Sequence, residues 1–181
     1  MPARAGMTKL DGIRSLFTIF LLAFPLAAPA LRLNAPVRVV AVHDGDTVTV
    51  LENQRTLRVR LTDIDAPELG QPYGKRAKWS LSDLCFGKAA ELKTRGRDRY
   101  GRLLAQLKCD GVDANAEQVR RGLAWVYTRY ARADSPLYAM QRDARAAARG
   151  LWAQPAPTPP WEWRRRRRTA AHTALPLKST R

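Results

Sequence analysis

From Val37 onward, apolar and polar positions alternate over short stretches. "VRVVAVH" at 37–43, "TVTVLE" at 47–52 and "RTLRVRLT" at 55–62 are rich in β-branched residues, the composition of half-buried strands. "ENQR" between the second and third predicts a hairpin turn. In the third stretch Leu57, Val59 and Leu61 alternate with Arg58 and Arg60, so one face goes to a core and the other presents arginines. The period then lengthens. Ala77, Leu81, Leu84 and Cys85 share one helical face and predict a helix over Lys75–Phe86, with Gly87 at its C-terminal cap. Two further strands follow, "KAAELKT" at 88–94 and "RLLAQLK" at 102–108, with a tight turn at Asp110-Gly111. A second helix opens at Asn115, with Gln118 three residues on as in a capping box, and ends at Gly122. A third opens at Ser135-Pro136 and closes before Gly150. Strands with a helix inserted after the third and helices at the end imply an α+β, mainly β fold: a five-stranded OB-type barrel with three helices.

The ends of the chain read differently. Arg4, Lys9 and Arg14 precede the apolar run Leu16–Leu26, and small residues follow to Ala30. This is the order of an export signal, and the run falls well short of the roughly 20 residues that span a bilayer. Residues 1–30 are therefore expected to be a cleaved signal peptide, which sends the protein to the periplasm or outside the cell; an uncleaved membrane anchor is the alternative. Residues 31–163 are expected to form the functional domain, with a proline-rich strap from 153. Five consecutive arginines open residues 164–181, which read as a disordered basic tail.

Charge narrows the partner. The net charge of +16 on 181 residues favours a polyanion, with nucleic acid ahead of an anionic membrane surface. Cys85 and Cys109 lie 24 positions apart, and neither belongs to a CxxC pair, which argues against zinc. They are either a single disulfide, fitting an oxidising compartment, or two buried thiols. His43 and His172 are too far apart in sequence to support a histidine-based site.

Three polar stretches interrupt the strands: "HDGDT" at 43–47, "RLTDIDAPE" at 60–68 and "DRYGR" at 98–102. Asp46 and Asp65 leave different strands and can converge on one hard cation, which prefers carboxylate and carbonyl oxygens. Asp44 and Asp63 read as outer or turn carboxylates. A carboxylate such as Glu68 can accept a proton from an attacking water. The forked guanidiniums of Arg60 and Arg102 match phosphate geometry.

These motifs, in this order and spacing, resemble the staphylococcal nuclease (thermonuclease) family over about residues 37–152, and "VRRGLAWVY" and "GLW" are similar to its exported bacterial members. The resemblance implies one calcium ion held by Asp46, Asp65 and the backbone carbonyl of Ala66, where the staphylococcal enzyme has threonine. It implies Arg60, Glu68 and Arg102 as catalytic residues. The implied substrate is DNA or RNA, cut with little base specificity to leave 3′-phosphate ends. Tyr100, Tyr127 and Tyr130 would contact substrate, where stacking contributes about 1–3 kcal/mol per base. Trp125, Trp152, Trp161 and Trp163 read as core or strap packing. A monomer without stable membrane association after signal cleavage is expected. The alternative is a catalytically inactive OB-type nucleic-acid-binding protein.

Overall fold

A computed structural model of the chain describes residues 37–173. The expected signal peptide and the last part of the tail, 174–181, lie outside the described residues. Strands β1 (Val37–Val42), β2 (Thr47–Glu52) and β3 (Arg55–Leu61) form an antiparallel meander. Its second turn runs through Asn53 and Gln54, both at positive φ, as a tight right-twisted hairpin requires. After a two-residue strand β4 (Ile64–Asp65) comes helix α1 (Gly74–Cys85), and then β5 (Ala89–Arg97) pairs with β1 and β6 (Leu103–Cys109). The barrel closes where β6 lies parallel to β3, with Arg60 opposite Leu104. The five long strands thus form the expected closed OB-type barrel.

Its interior is filled by the inward half of each alternation: Val39, Val48, Val50, Val59, Leu61, Ala105 and Leu107, with Leu81 and Ala77 of α1 against one end. The outward half of β3 holds the arginines. Strand β7 (Val112–Asp113) leads into α2 (Ala114–Arg120), and β8 (Trp125–Val126) pairs with β4. Helix α3 (Leu137–Ala146) and a single 3-10 turn (Gly150–Ala153) follow.

Two expectations are corrected. The cap of α2 is Asp113, whose side chain accepts from the Ala116 amide, so Asn115 and Gln118 lie inside the helix and are free for other bonds. The arginine run is not disordered along its described length. It is part of a fourth helix, α4 (Pro160–Thr173). Proline suits the first helical position and arginine is a good helix former, and both favour the helix against repulsion among its neighbouring arginines once its first turn is anchored.

Cys85, at the end of α1, is bonded to Cys109, at the end of β6, with Cα atoms 5.2 Å apart. The bond closes a loop of 24 positions, which in chain-entropy terms stabilises by about 3 kcal/mol. The double variant Cys85→Ala/Cys109→Ala is expected to lose about that much in urea unfolding, read as a lower midpoint with a steeper slope because the uncrosslinked denatured chain is less compact.

Candidate active site

Asp46 sits in the turn between β1 and β2, one residue before β2 begins. Its amide donates to the Asp44 carboxylate at 3.0 Å, so Asp44 shapes the turn. The Asp46 side chain is buried and fully engaged. Its Oδ2 accepts from the Ala66 amide at 2.6 Å and faces Arg60 Nη2 at 3.1 Å, while its Oδ1 accepts from the Thr47 hydroxyl at 3.1 Å. Asp65, at the end of β4, is 1% exposed and reaches the same guanidinium nitrogen, Oδ1 to Arg60 Nη2 at 2.8 Å. Two carboxylates, one from the β1–β2 turn and one from β4, therefore converge on one positive centre. Arg60 is held in place by its other nitrogen, which donates to the carbonyls of Leu61 (2.8 Å) and Ile64 (3.1 Å).

Burial is the main influence on Asp46. It pushes the carboxyl up to about 8, aided by Asp44 and Asp65 and opposed by Arg60 and the Ala66 amide. Removing two acids from water to this degree calls for a cation among them. Hard oxygen donors around a buried positive position match the chemistry of calcium. Among the described residues no three His, Cys, Asp or Glu side chains form a metal cage.

Glu68 lies three residues past Asp65 on the loop into α1. Its amide faces the Gln71 side chain at 3.3 Å and its carbonyl accepts from the Gln71 amide at 2.8 Å. The first residue of α1 presses on this loop: a Cβ on Gly74 would stand 1.8 Å from the Glu68 carbonyl oxygen, so no side chain fits there. Gly45 plays the same part on the other loop, since a Cβ there would meet the Ala66 and Ala77 methyls at 2.6 Å.

Arg102 leads into β6 two residues before Leu104, the partner of Arg60, so by alternation both arginines belong to the outer face of neighbouring strands. Arg102 Nε donates to Asp98 at 2.8 Å. Burial alone would raise Asp98, but the Arg102 guanidinium and the amides of Tyr100 and Arg102 hold its carboxyl below the usual range. The same bonds fold "DRYGR" into a tight loop with Tyr100 on its outside, 69% exposed.

The other two tyrosines stand apart from that loop. Tyr127 stacks on Trp161 with ring centres 5.3 Å apart and planes at 10°, and Tyr130 meets its edge at 5.0 Å. Tyr130 is 62% exposed. Trp125 packs edge-on against Trp152 and Trp161. His43 bonds the Thr49 hydroxyl at 2.8 Å and lies at the end of β1.

Three kinds of residue at the site escape the motif reading. Asn115 and Gln118 of α2 act as clamps: Asn115 Nδ2 donates to the Thr62 carbonyl at 2.8 Å, and Gln118 Nε2 to the carbonyls of Gly45 (2.7 Å) and Ala77 (2.9 Å). One buried amide thus holds each acid-bearing loop. Asp63, at φ 64°, is buried and paired with Arg95 at 2.7 Å, and its carbonyl accepts from the Tyr127 amide, a structural role. Arg164 of α4 lies directly on the acids, with Nη2 2.7 Å from Asp65 Oδ2 and Nη1 2.8 Å from Glu68 Oε1. Only the buried polar character of Asn115 and Gln118 could have been guessed from helical phase; Arg164 carries no local signal.

A closed OB-type barrel with buried acids and arginines gathered at the β3–β4 edge defines a small β-barrel protein of nuclease type. The family model described as staphylococcal nuclease homologue matches residues 58–154, and the chain belongs to that family. It is 42% identical over 148 residues to an "Uncharacterized endonuclease" of Escherichia coli O157:H7, covering 81% of this chain and 96% of the relative. It is 42% identical over 144 residues to the "Micrococcal nuclease" of Shigella flexneri, covering 74% and 83%. A Haemophilus influenzae "Uncharacterized endonuclease" is 40% identical over 152 residues, covering 83% and 84%. Arg60, Asp65, Glu68 and Arg102 fall inside the matched family region, whereas Arg164 lies beyond it.

Proposed function

We propose that the protein is an exported, calcium-dependent nuclease that hydrolyses phosphodiester bonds of DNA or RNA with little base specificity. The convergence of Asp46 and Asp65 on one cationic position, with Glu68 on the adjoining loop, is the observation that carries this reading. Asp46, Asp65 and the Ala66 carbonyl would hold calcium, which when bound polarises a phosphate and lowers the pKa of a coordinated water. Glu68 accepts the proton of the attacking water and directs it in line. Arg102 and Arg60 offer guanidinium donors to the phosphoryl oxygens, where charge builds in the transition state. Expulsion of the 5′-oxygen leaves a 3′-phosphate. Tyr100, exposed beside Arg102, and Tyr130 are the rings open to a sugar or base, whereas Tyr127 has one face covered by Trp161. The disulfide supports export, because such bonds persist in oxidising compartments.

The end groups test the chemistry. Digested DNA is expected to carry 3′-phosphates, so that its new 5′ ends accept label from a polynucleotide kinase without prior phosphatase treatment. Products with 5′-phosphates would reject the assigned direction of attack.

Proton release gives a second check. Asp46 must be ionised to ligate a metal, and its carboxyl is raised to about 8. Calcium affinity is expected to climb with pH, by up to about tenfold per unit below that value, and to level off above it. Calorimetric titration at several pH values reads this directly. A flat profile between pH 6 and 9 would show that no raised carboxyl releases its proton when calcium binds.

A further inference from the structure

C-terminal to the family region, the strong features gather on α4. Its first turn is fixed to the barrel by aromatic packing: Trp161 stacks on Tyr127 and touches Trp125, and Trp163 lines a small cavity with Pro67 and Pro72. The strap before it is tied to the Glu68 loop by Gln71, whose Nε2 donates to the Thr158 carbonyl at 2.6 Å. The loop that carries Glu68 and the helix that carries Arg164 are thus held as one unit.

That anchoring sets Arg164 on the acids. Its Nη2 bonds Asp65 Oδ2 at 2.7 Å, and its Nη1 reaches both Asp65 Oδ1 (3.2 Å) and Glu68 Oε1 (2.8 Å). Arg60 already holds Asp65 Oδ1 at 2.8 Å. Both oxygens of Asp65 are consequently occupied by guanidinium donors. A divalent cation on the same carboxylate would stand directly against the Arg164 guanidinium, so like-charge repulsion sets the two in competition. The next arginines, 165 to 168, are exposed.

We infer that Arg164 is a positioning residue of the active site, supplied by the C-terminal helix: it pairs with Asp65 and Glu68 and competes with calcium for these carboxylates. This rests on the calcium reading above. A bidentate, partly buried guanidinium–carboxylate pair is among the stronger charge-assisted contacts, so the exchange has a cost in apparent affinity. Were Arg164 seated nine-tenths of the time, the apparent Kd for calcium would stand about tenfold above its intrinsic value. Arg164 also keeps Glu68 beside Asp65 before the ion arrives.

The test compares calcium binding, by calorimetry and without nucleic acid, for the wild-type protein, Arg164→Gln and Arg165→Gln. Arg165 shares the helix and the charge but is exposed and away from the acids, so it controls for general loss of positive potential. Arg164→Gln is expected to tighten calcium by about tenfold and Arg165→Gln by less than about twofold. The inference is overturned if Arg164→Gln binds no tighter than wild type, or if Arg165→Gln tightens calcium as much. If wild type and both variants bind no calcium at all, the calcium reading falls and this inference with it. Binding that is equal in all three removes the role of Arg164 alone.

Discussion

Glu68→Gln is expected to keep the fold and lose about 10²- to 10⁴-fold in cleavage rate, the span that general-base groups contribute. The change removes the proton acceptor and preserves volume. The backbone of the loop is unaffected, because its bonds run from the Glu68 amide and carbonyl to Gln71. Thermal unfolding should therefore shift little, since among the described residues the carboxylate's ion-pair partner is Arg164, in a half-exposed contact. Single-turnover cleavage at saturating calcium is the measurement that separates lost chemistry from lost binding. A variant that cuts at the wild-type rate would dismiss Glu68 as the base.

Arg60→Ala is expected to have the largest effect on stability. Its guanidinium faces Asp46 and Asp65 and satisfies two backbone carbonyls, while being only 14% exposed in its side chain. Breaking a buried pair from one side costs about 3–5 kcal/mol when the remaining charge has no partner. Here Arg164 still covers Asp65, so the orphaned charge is Asp46. The pH dependence has a definite sign. Folding raises Asp46 from its ordinary 3.8 to about 8, so the folded protein binds that proton more tightly, and stability falls as pH rises between those values. Without Arg60 the carboxyl is raised further. The destabilisation should be greatest near pH 9, where wild-type Asp46 is ionised, and smaller at pH 6, where it is protonated in both proteins. Urea unfolding at the two pH values, in the presence of chelator, reads the difference. A cost that is equal at both would show that Asp46 does not depend on Arg60.

The barrel was legible because its strands are short, alternating and separated by turn residues, and the turns at Asn53-Gln54 and Asp110-Gly111 adopt the positive φ that such pairs allow. The motif acids and arginines were legible as residues. Their mutual arrangement follows from β3 pairing with both β2 and β6, a closure that no local pattern announces. Helix α2 was misread at its start because Asn115 and Gln118 have the spacing of a capping box. Asp113 is the cap, and the buried amides hold the two acid-bearing loops instead. The arginine run was misread for a different reason. Like charges in sequence predict repulsion and disorder, and what orders them is remote: tryptophan stacking on Tyr127 and a guanidinium bond to acids 99 and 96 positions away.

On the function proposed above, these acids and arginines cut phosphodiesters with the help of calcium. Incubating the purified protein with plasmid and with RNA, in calcium and then in excess chelator, tests it most directly. Degradation of at least one substrate in calcium, abolished by chelator and restored by added calcium, is the predicted result. Intact plasmid and intact RNA under both conditions would contradict it and leave an inactive nucleic-acid-binding barrel.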